Sequence, residues 1–104
     1  MVRGKILALF CLFPASLGWS ADHTITQKGK AFSVQEITVA VGDSIVFKND
    51  DDTAHNVFSS TAGYEFNVGI QKAGAESSQK FDKAGTVEAR CAIHPQMKLK
   101  VNVK

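Results

Sequence analysis

The sequence has 104 residues, 21% of them charged and 44% hydrophobic, with a formal charge of +2; that is chain enough for one domain and too little for a second core. So even a charge excludes the broad basic surface that binds a nucleic-acid backbone. No apolar run reaches the roughly 20 residues of a membrane-spanning helix.

The first element is a targeting segment. Met1 to Lys5 carries Arg3 and Lys5, Ile6 to Leu17 is a short apolar run broken by Pro14, and Gly18, Ser20 and Ala21 are small. A basic start, a short greasy centre and a small-residue end is the order of a secretory signal peptide. Cleavage after Ser20 puts Gly18 at the −3 position, whereas cleavage after Ala21 would put bulky Trp19 there. The expected organisation is a signal peptide at 1–20, one domain at 21–104, a periplasmic location and no membrane anchor. Losing Arg3 and Lys5 from twelve basic residues leaves ten against ten acidic ones. Cys11 leaves with the signal, so Cys91 is the single remaining cysteine and no intramolecular disulfide can form. A lone thiol in an oxidising compartment asks for a chemical reason. A domain this short has a modest core, and a bound metal would add to its stability.

Beyond the signal, short runs alternate apolar and polar residues and are bounded by turn residues, the pattern of strands. Glu36 to Val41 aligns Ile37, Val39 and Val41, and Gly42-Asp43 turns the chain. Ser44 to Asn49 aligns Ile45 and Phe47. Asn49-Asp50-Asp51-Asp52 reads as a solvated turn held by side-chain bonds to local backbone. His55 to Ser59 is the next strand. Ser60 to Gly74 is the least regular stretch, with glycines at 63, 69 and 74. Glu76 to Phe81 is a further strand, and Ala84-Gly85 a turn. Thr86 to Cys91 puts Val87, Ala89 and Cys91 on one face; near the end, Leu99, Val101 and Val103 alternate with lysines and Asn102. Many short strands separated by turns predict an all-β, antiparallel sandwich or barrel. The Cys91 thiol then starts at the inner end of a strand, where a loop leaves the sheet.

That loop reads Cys91-Ala92-Ile93-His94-Pro95-Gln96-Met97 and offers a thiol, an imidazole and a thioether, while His55 lies far upstream at the start of a strand. Taken singly each has a plain explanation: a small buried apolar residue, a surface ring, a core side chain. Together they are the two-histidine, one-cysteine, axial-methionine donor set of blue-copper centres. Cu(II) prefers tetragonal nitrogen and oxygen donors, and Cu(I) accepts few, soft ones. A three-coordinate site with a weak axial sulfur serves both states. Structural zinc sites use no thioether. A Cys/His hydrolase needs an oriented base and an oxyanion pocket, and the sequence shows neither.

The pattern resembles the cupredoxins, the type 1 blue-copper family, and the short Cys-x2-His-x2-Met spacing with its His-Pro pair is similar to the amicyanin-like, methylamine-utilisation-type members. Val41 to Asp50 resembles the family's glycine turn and the strand after it, His55-Asn56 its upstream ligand pair, and Phe81, Gly85 and Thr86 the run into the cysteine. The resemblance implies a Greek-key sandwich and one copper ion held by His55, Cys91, His94 and Met97. It also implies that the Asn56 backbone N–H donates to the Cys91 sulfur and tunes the potential. The expected role is a monomeric electron carrier between redox partner proteins of dehydrogenase or cytochrome type, not an enzyme. A copper-delivery or storage module with the same ligands stays open. Ala92, Ile93, Pro95 and Gln96 are expected to form a mostly apolar patch around His94, and Lys98 and Lys100 the outward face of the last strand. A chain beginning at Ala21 would also offer its amine, two amides and the His23 imidazole to square-planar Cu(II).

Overall fold

Alternation along the chain is cashed in as burial. In β4 (Ser44–Asn49), Ile45 and Phe47 are fully buried while Ser44, Val46 and Lys48 between them are not. The computed structural model describes residues 20–104; the signal peptide read at 1–20 falls, but for Ser20, outside the described residues. In chain order the other strands are β1 (Asp22–Lys28), β2 (Ala31–Phe32), β3 (Glu36–Val39), β5 (His55–Ser59), β6 (Phe66–Gln71), β7 (Glu76–Lys80), β8 (Gly85–Arg90) and β9 (Lys98–Val103).

They form two sheets, ordered β2-β1-β4-β7 and β3-β9-β8-β5-β6. Their inner faces share one core that includes Ile25, Phe32, Ile45, Phe47, Val57, Phe81, Val87, Leu99 and Val101. Each fully buried Phe, Leu or Ile of such a core is worth about 1.5–3 kcal/mol. The all-β sandwich agrees with the sequence pattern, but the pairing is mixed. β1 runs parallel to β4, and β3 parallel to β9. Parallel neighbours cannot be joined by a tight hairpin, so these pairs come from strands distant in the chain.

Four elements differ from the sequence expectation, the short β2 among them, which the sequence pattern did not show. β1 is a full strand that the sequence pattern hid, because its inward positions are Ile25 and the polar Gln27. β3 stops at Val39, and Val41 is 45% exposed rather than in line with Ile37 and Val39. The cause is a turn closed by the Asp43 N–H on the Ala40 carbonyl at 3.0 Å, with Gly42 at φ +98°, the positive value that a type II turn asks of its third residue. β6 crosses the stretch read as irregular. Its alternation is broken at Gly69 (φ +84°), and its pairing with β5 shifts register between Asn56 and Phe58. In β8, Val87 and Ala89 are buried as expected, with Cys91 buried just beyond the strand's end.

Candidate metal centre

β8 delivers Cys91 into the interior at 1% exposure. The chain then leaves the sheet and returns through a turn in which the Met97 N–H meets the His94 carbonyl at 3.0 Å. That turn holds His94 half-buried and Met97 buried, and β9 begins at Lys98. His55 enters from the other direction as the first residue of β5, with no exposed surface. The loop before it is shaped by buried Asn49. Its Nδ2 donates to the Thr53 and Gln71 carbonyls, both at 2.9 Å, and its Oδ1 accepts the Asp51 N–H at 2.9 Å.

These elements bring three donor atoms together. His55 Nδ1 lies 3.8 Å from Cys91 Sγ, His94 Nδ1 lies 4.0 Å from it, and the two nitrogens are 3.1 Å apart. Met97 packs beside them. The proton on His55 is assigned by its other nitrogen: Nε2 lies 2.9 Å from Asp51 Oδ2, so it donates there and Nδ1 keeps its lone pair for the centre. That bond, followed by the Lys30 N–H on the same oxygen, holds the Asp51 carboxyl well below the usual carboxylate range. The sulfur accepts the Asn56 N–H at 3.4 Å.

The donor set fits a copper ion. Two imidazole nitrogens and a cysteine sulfur facing one another, with the Met97 thioether beside them, are the donors that would hold such an ion. The 3.1 Å between the two nitrogens is within hydrogen-bond range, whereas both edges to the sulfur are longer.

All four side chains singled out in the sequence meet at this end of the sandwich. The Asn56 N–H points at the sulfur as the resemblance implied. Its side chain does more than the sequence suggested: Nδ2 donates to Asn67 Oδ1 at 2.9 Å and to the Gly69 carbonyl at 3.1 Å, and Oδ1 accepts the Ala92 N–H at 3.3 Å. It ties the start of β5 to β6 and to the metal loop. Asp51 and Asn49 were missed, because a run of Asn and three Asp looks like a solvated turn. Only Asp51 turns inward, and its position four residues before His55 was the available signal. Asp22 and His23 open β1, and the Asp43 carboxylate accepts the Ala21 N–H and pairs with His23 Nε2, both at 2.9 Å.

No curated protein sequence matches the chain significantly. Solved structures do. A variant of amicyanin in its reduced Cu(I) form at pH 4 is 26% identical, with a TM-score of 0.74 over 80% of this chain and 82% of that one. A purple cupredoxin from Nitrosopumilus maritimus, 24% identical with a TM-score of 0.71 over 80% of this chain and all of that one, shares the fold. So does a part of the copper-containing nitrite reductase of Thermus scotoductus SA-01, 22% identical with a TM-score of 0.74, of which the match covers 22%. A family model for copper-binding proteins matches residues 20–104, about four-fifths of the chain, and with the donor geometry it makes the protein a member of the plastocyanin/azurin family.

Proposed function

We propose that the protein is a periplasmic one-electron carrier with His55, Cys91, His94 and Met97 as its copper ligands. Bound copper would supply the Cu(I)/Cu(II) couple; the chain supplies a fixed set of donors. The observation that carries this reading is the convergence of His55 Nδ1, His94 Nδ1 and Cys91 Sγ within 4.8 Å of one another. Each donor is held in place: His55 by Asp51, the Cys91 sulfur by the Asn56 N–H, and His94 by the turn that ends at Met97. Donors that need not move when charge changes suit electron transfer better than release of the ion, which favours a carrier over a delivery module.

Each residue has its own part. Cys91 would hold the ion through its thiolate, with buried His55 and half-buried His94 as the two imidazole donors, and His94 would be the route out for the electron. Met97 would add a weak thioether donor. The protein passes electrons between partner proteins of dehydrogenase or cytochrome type, acts as a monomer and catalyses no reaction of its own. Among the described residues no helix is long and apolar enough to cross a membrane, and the basic-apolar-small order of residues 1–20 supports export.

Adding Cu(II) to the protein and recording visible and EPR spectra tests the assignment. The expected result is intense thiolate-dependent colour, a single copper per chain and reversible one-electron reduction. A colourless product, or colour that survives Cys91→Ser, removes the carrier reading.

A further inference from the structure

On the Met97 side of the centre lies a cleft of about 220 Å³. One wall is Lys30, Phe32 and Val34, from the tip of the β1–β2 hairpin onward. The other is Gln96, Met97 and Lys98, from the end of the metal loop. The volume is below the roughly 300–1,000 Å³ of sites for drug-sized cofactors, so it suits one or two side chains. Its floor is apolar, with Phe32 and Met97 buried, and Lys30 and Lys98 stand exposed at its rims.

Both cations are uncompensated. Among the described residues neither Lys30 nor Lys98 has a carboxylate within 4.0 Å, while nearby Asp50 faces Lys48 at 3.8 Å and Asp51 faces His55. The cleft is therefore a local positive site on a domain whose charges balance as a whole. It is also built firmly. Lys30 is the one non-glycine residue with positive φ among those described, at +58° after Gly29 at +64°, the two-residue hairpin turn that normally selects Asn or Gly. In that conformation its N–H reaches Asp51 Oδ2 at 2.9 Å, which fixes the hairpin tip against the loop leading to His55.

We propose that this cleft seats an acidic segment of the redox partner, with carboxylates on Lys30 and Lys98 and an apolar side chain against Phe32 and Met97. The inference rests on the carrier reading above and adds where, and by what chemistry, the partner docks. The far wall belongs to the turn that carries His94, so a segment seated here brings the partner toward half-buried His94 and toward Ile93, which is 44% exposed. Opposite charges would also speed the encounter at low salt.

The test uses the copper-loaded, reduced protein and two synthetic peptides, one alternating glutamate with leucine and the other glutamine with leucine. Amide shifts in an NMR titration with the glutamate peptide should centre on Lys30, Phe32, Val34, Gln96 and Lys98. Binding should weaken about fivefold or more in the Lys30→Gln/Lys98→Gln double variant, as expected for two exposed ion pairs, and stay unchanged in Lys80→Gln on β7. Shifts centred elsewhere, equal binding of the glutamine peptide, or undiminished binding by the double variant would overturn the proposal. Binding is read without any electron transfer. A protein that exchanges electrons normally yet ignores the peptide loses only the cleft, and one that binds the peptide in the cleft yet never cycles its copper loses the carrier reading.

Discussion

Asp51 Oδ2 lies 2.9 Å from His55 Nε2 and accepts a hydrogen bond from its N–H. One oxygen thus chooses the tautomer of a fully buried imidazole, aims the opposite nitrogen at Cys91 and His94, and joins the ring to the β1–β2 hairpin through the Lys30 N–H. A carboxylate on the far side of a metal-binding histidine raises the basicity of the ring as well as orienting it. It also sets a negative charge one ring's breadth from the centre, which favours the more highly charged Cu(II).

Asp51→Asn keeps an oxygen that can accept both N–H groups and removes the charge. Cu(II) affinity is expected to fall about 10–100-fold, the usual effect of losing an outer-shell partner. Cu(I) should lose less, and each tenfold difference between the two states raises a one-electron potential by about 59 mV. Competition titration and voltammetry read the two effects separately. An unshifted potential would mean that the carboxylate positions the ring without tuning it.

Asn56 is 3% exposed, and its side chain makes three hydrogen bonds that join β5, β6 and the metal loop. Asn56→Ala removes all three and leaves the Ala92 N–H without that partner. At about 1 kcal/mol for each net bond, the expected loss is about 2–4 kcal/mol. It should appear as a lower denaturant midpoint with an unchanged slope. The Asn56 N–H to the sulfur is backbone and survives, so the variant's copper should keep its colour; a bleached site would show that the side chain also holds Cys91 in place.

The donor set was legible because its chemistry is rare. Cys, His and Met at short spacing, after a strand that turns the cysteine inward, leave few readings, and β8 from Thr86 onward and all of β9 obey period-two alternation. The rest was hidden for identifiable reasons. β1 buries Gln27 where the pattern wanted an apolar residue, and β6 breaks at Gly69, so neither shows alternation. Parallel pairing of β1 with β4 and of β3 with β9 depends on contacts between distant segments that no local pattern encodes. The role of Asp51 could not be separated from that of Asp50 or Asp52, because which of three adjacent carboxylates turns inward is decided by the Asn49 turn in three dimensions.

Copper bound to the folded chain alone must stabilise it. At a free-ion concentration about 1,000 times the dissociation constant, linkage gives about 4 kcal/mol, and removing the metal should return that amount. Denaturant unfolding of reduced protein with and without Cu(I) measures it. Cys91→Ser keeps the size of the side chain but gives up the soft sulfur, so its midpoint should respond far less to the metal. An equal response in both would place the ion elsewhere.

Asp43 gives a pH-dependent prediction away from the metal. Its carboxylate accepts His23 Nε2 and the Ala21 N–H at 2.9 Å and the Ala40 N–H at 3.0 Å. These bonds, that from His23 foremost, lower its pKa from the usual 3.8 to about 2. The folded value lies below the unfolded one, so between the two the unfolded chain binds more protons. Stability from this group is full above about pH 4 and lost as pH falls toward about 2. Asp43→Asn keeps one oxygen acceptor and does not titrate. Asp51 and the other carboxylates titrate in both proteins, so the informative quantity is the gap between the two urea-midpoint curves. That gap should be widest near neutrality and narrow as pH drops through the window, because only the wild type loses its Asp43 contribution there. Curves that stay parallel from about pH 6 to about pH 2 would show that folding leaves the proton affinity of Asp43 unchanged.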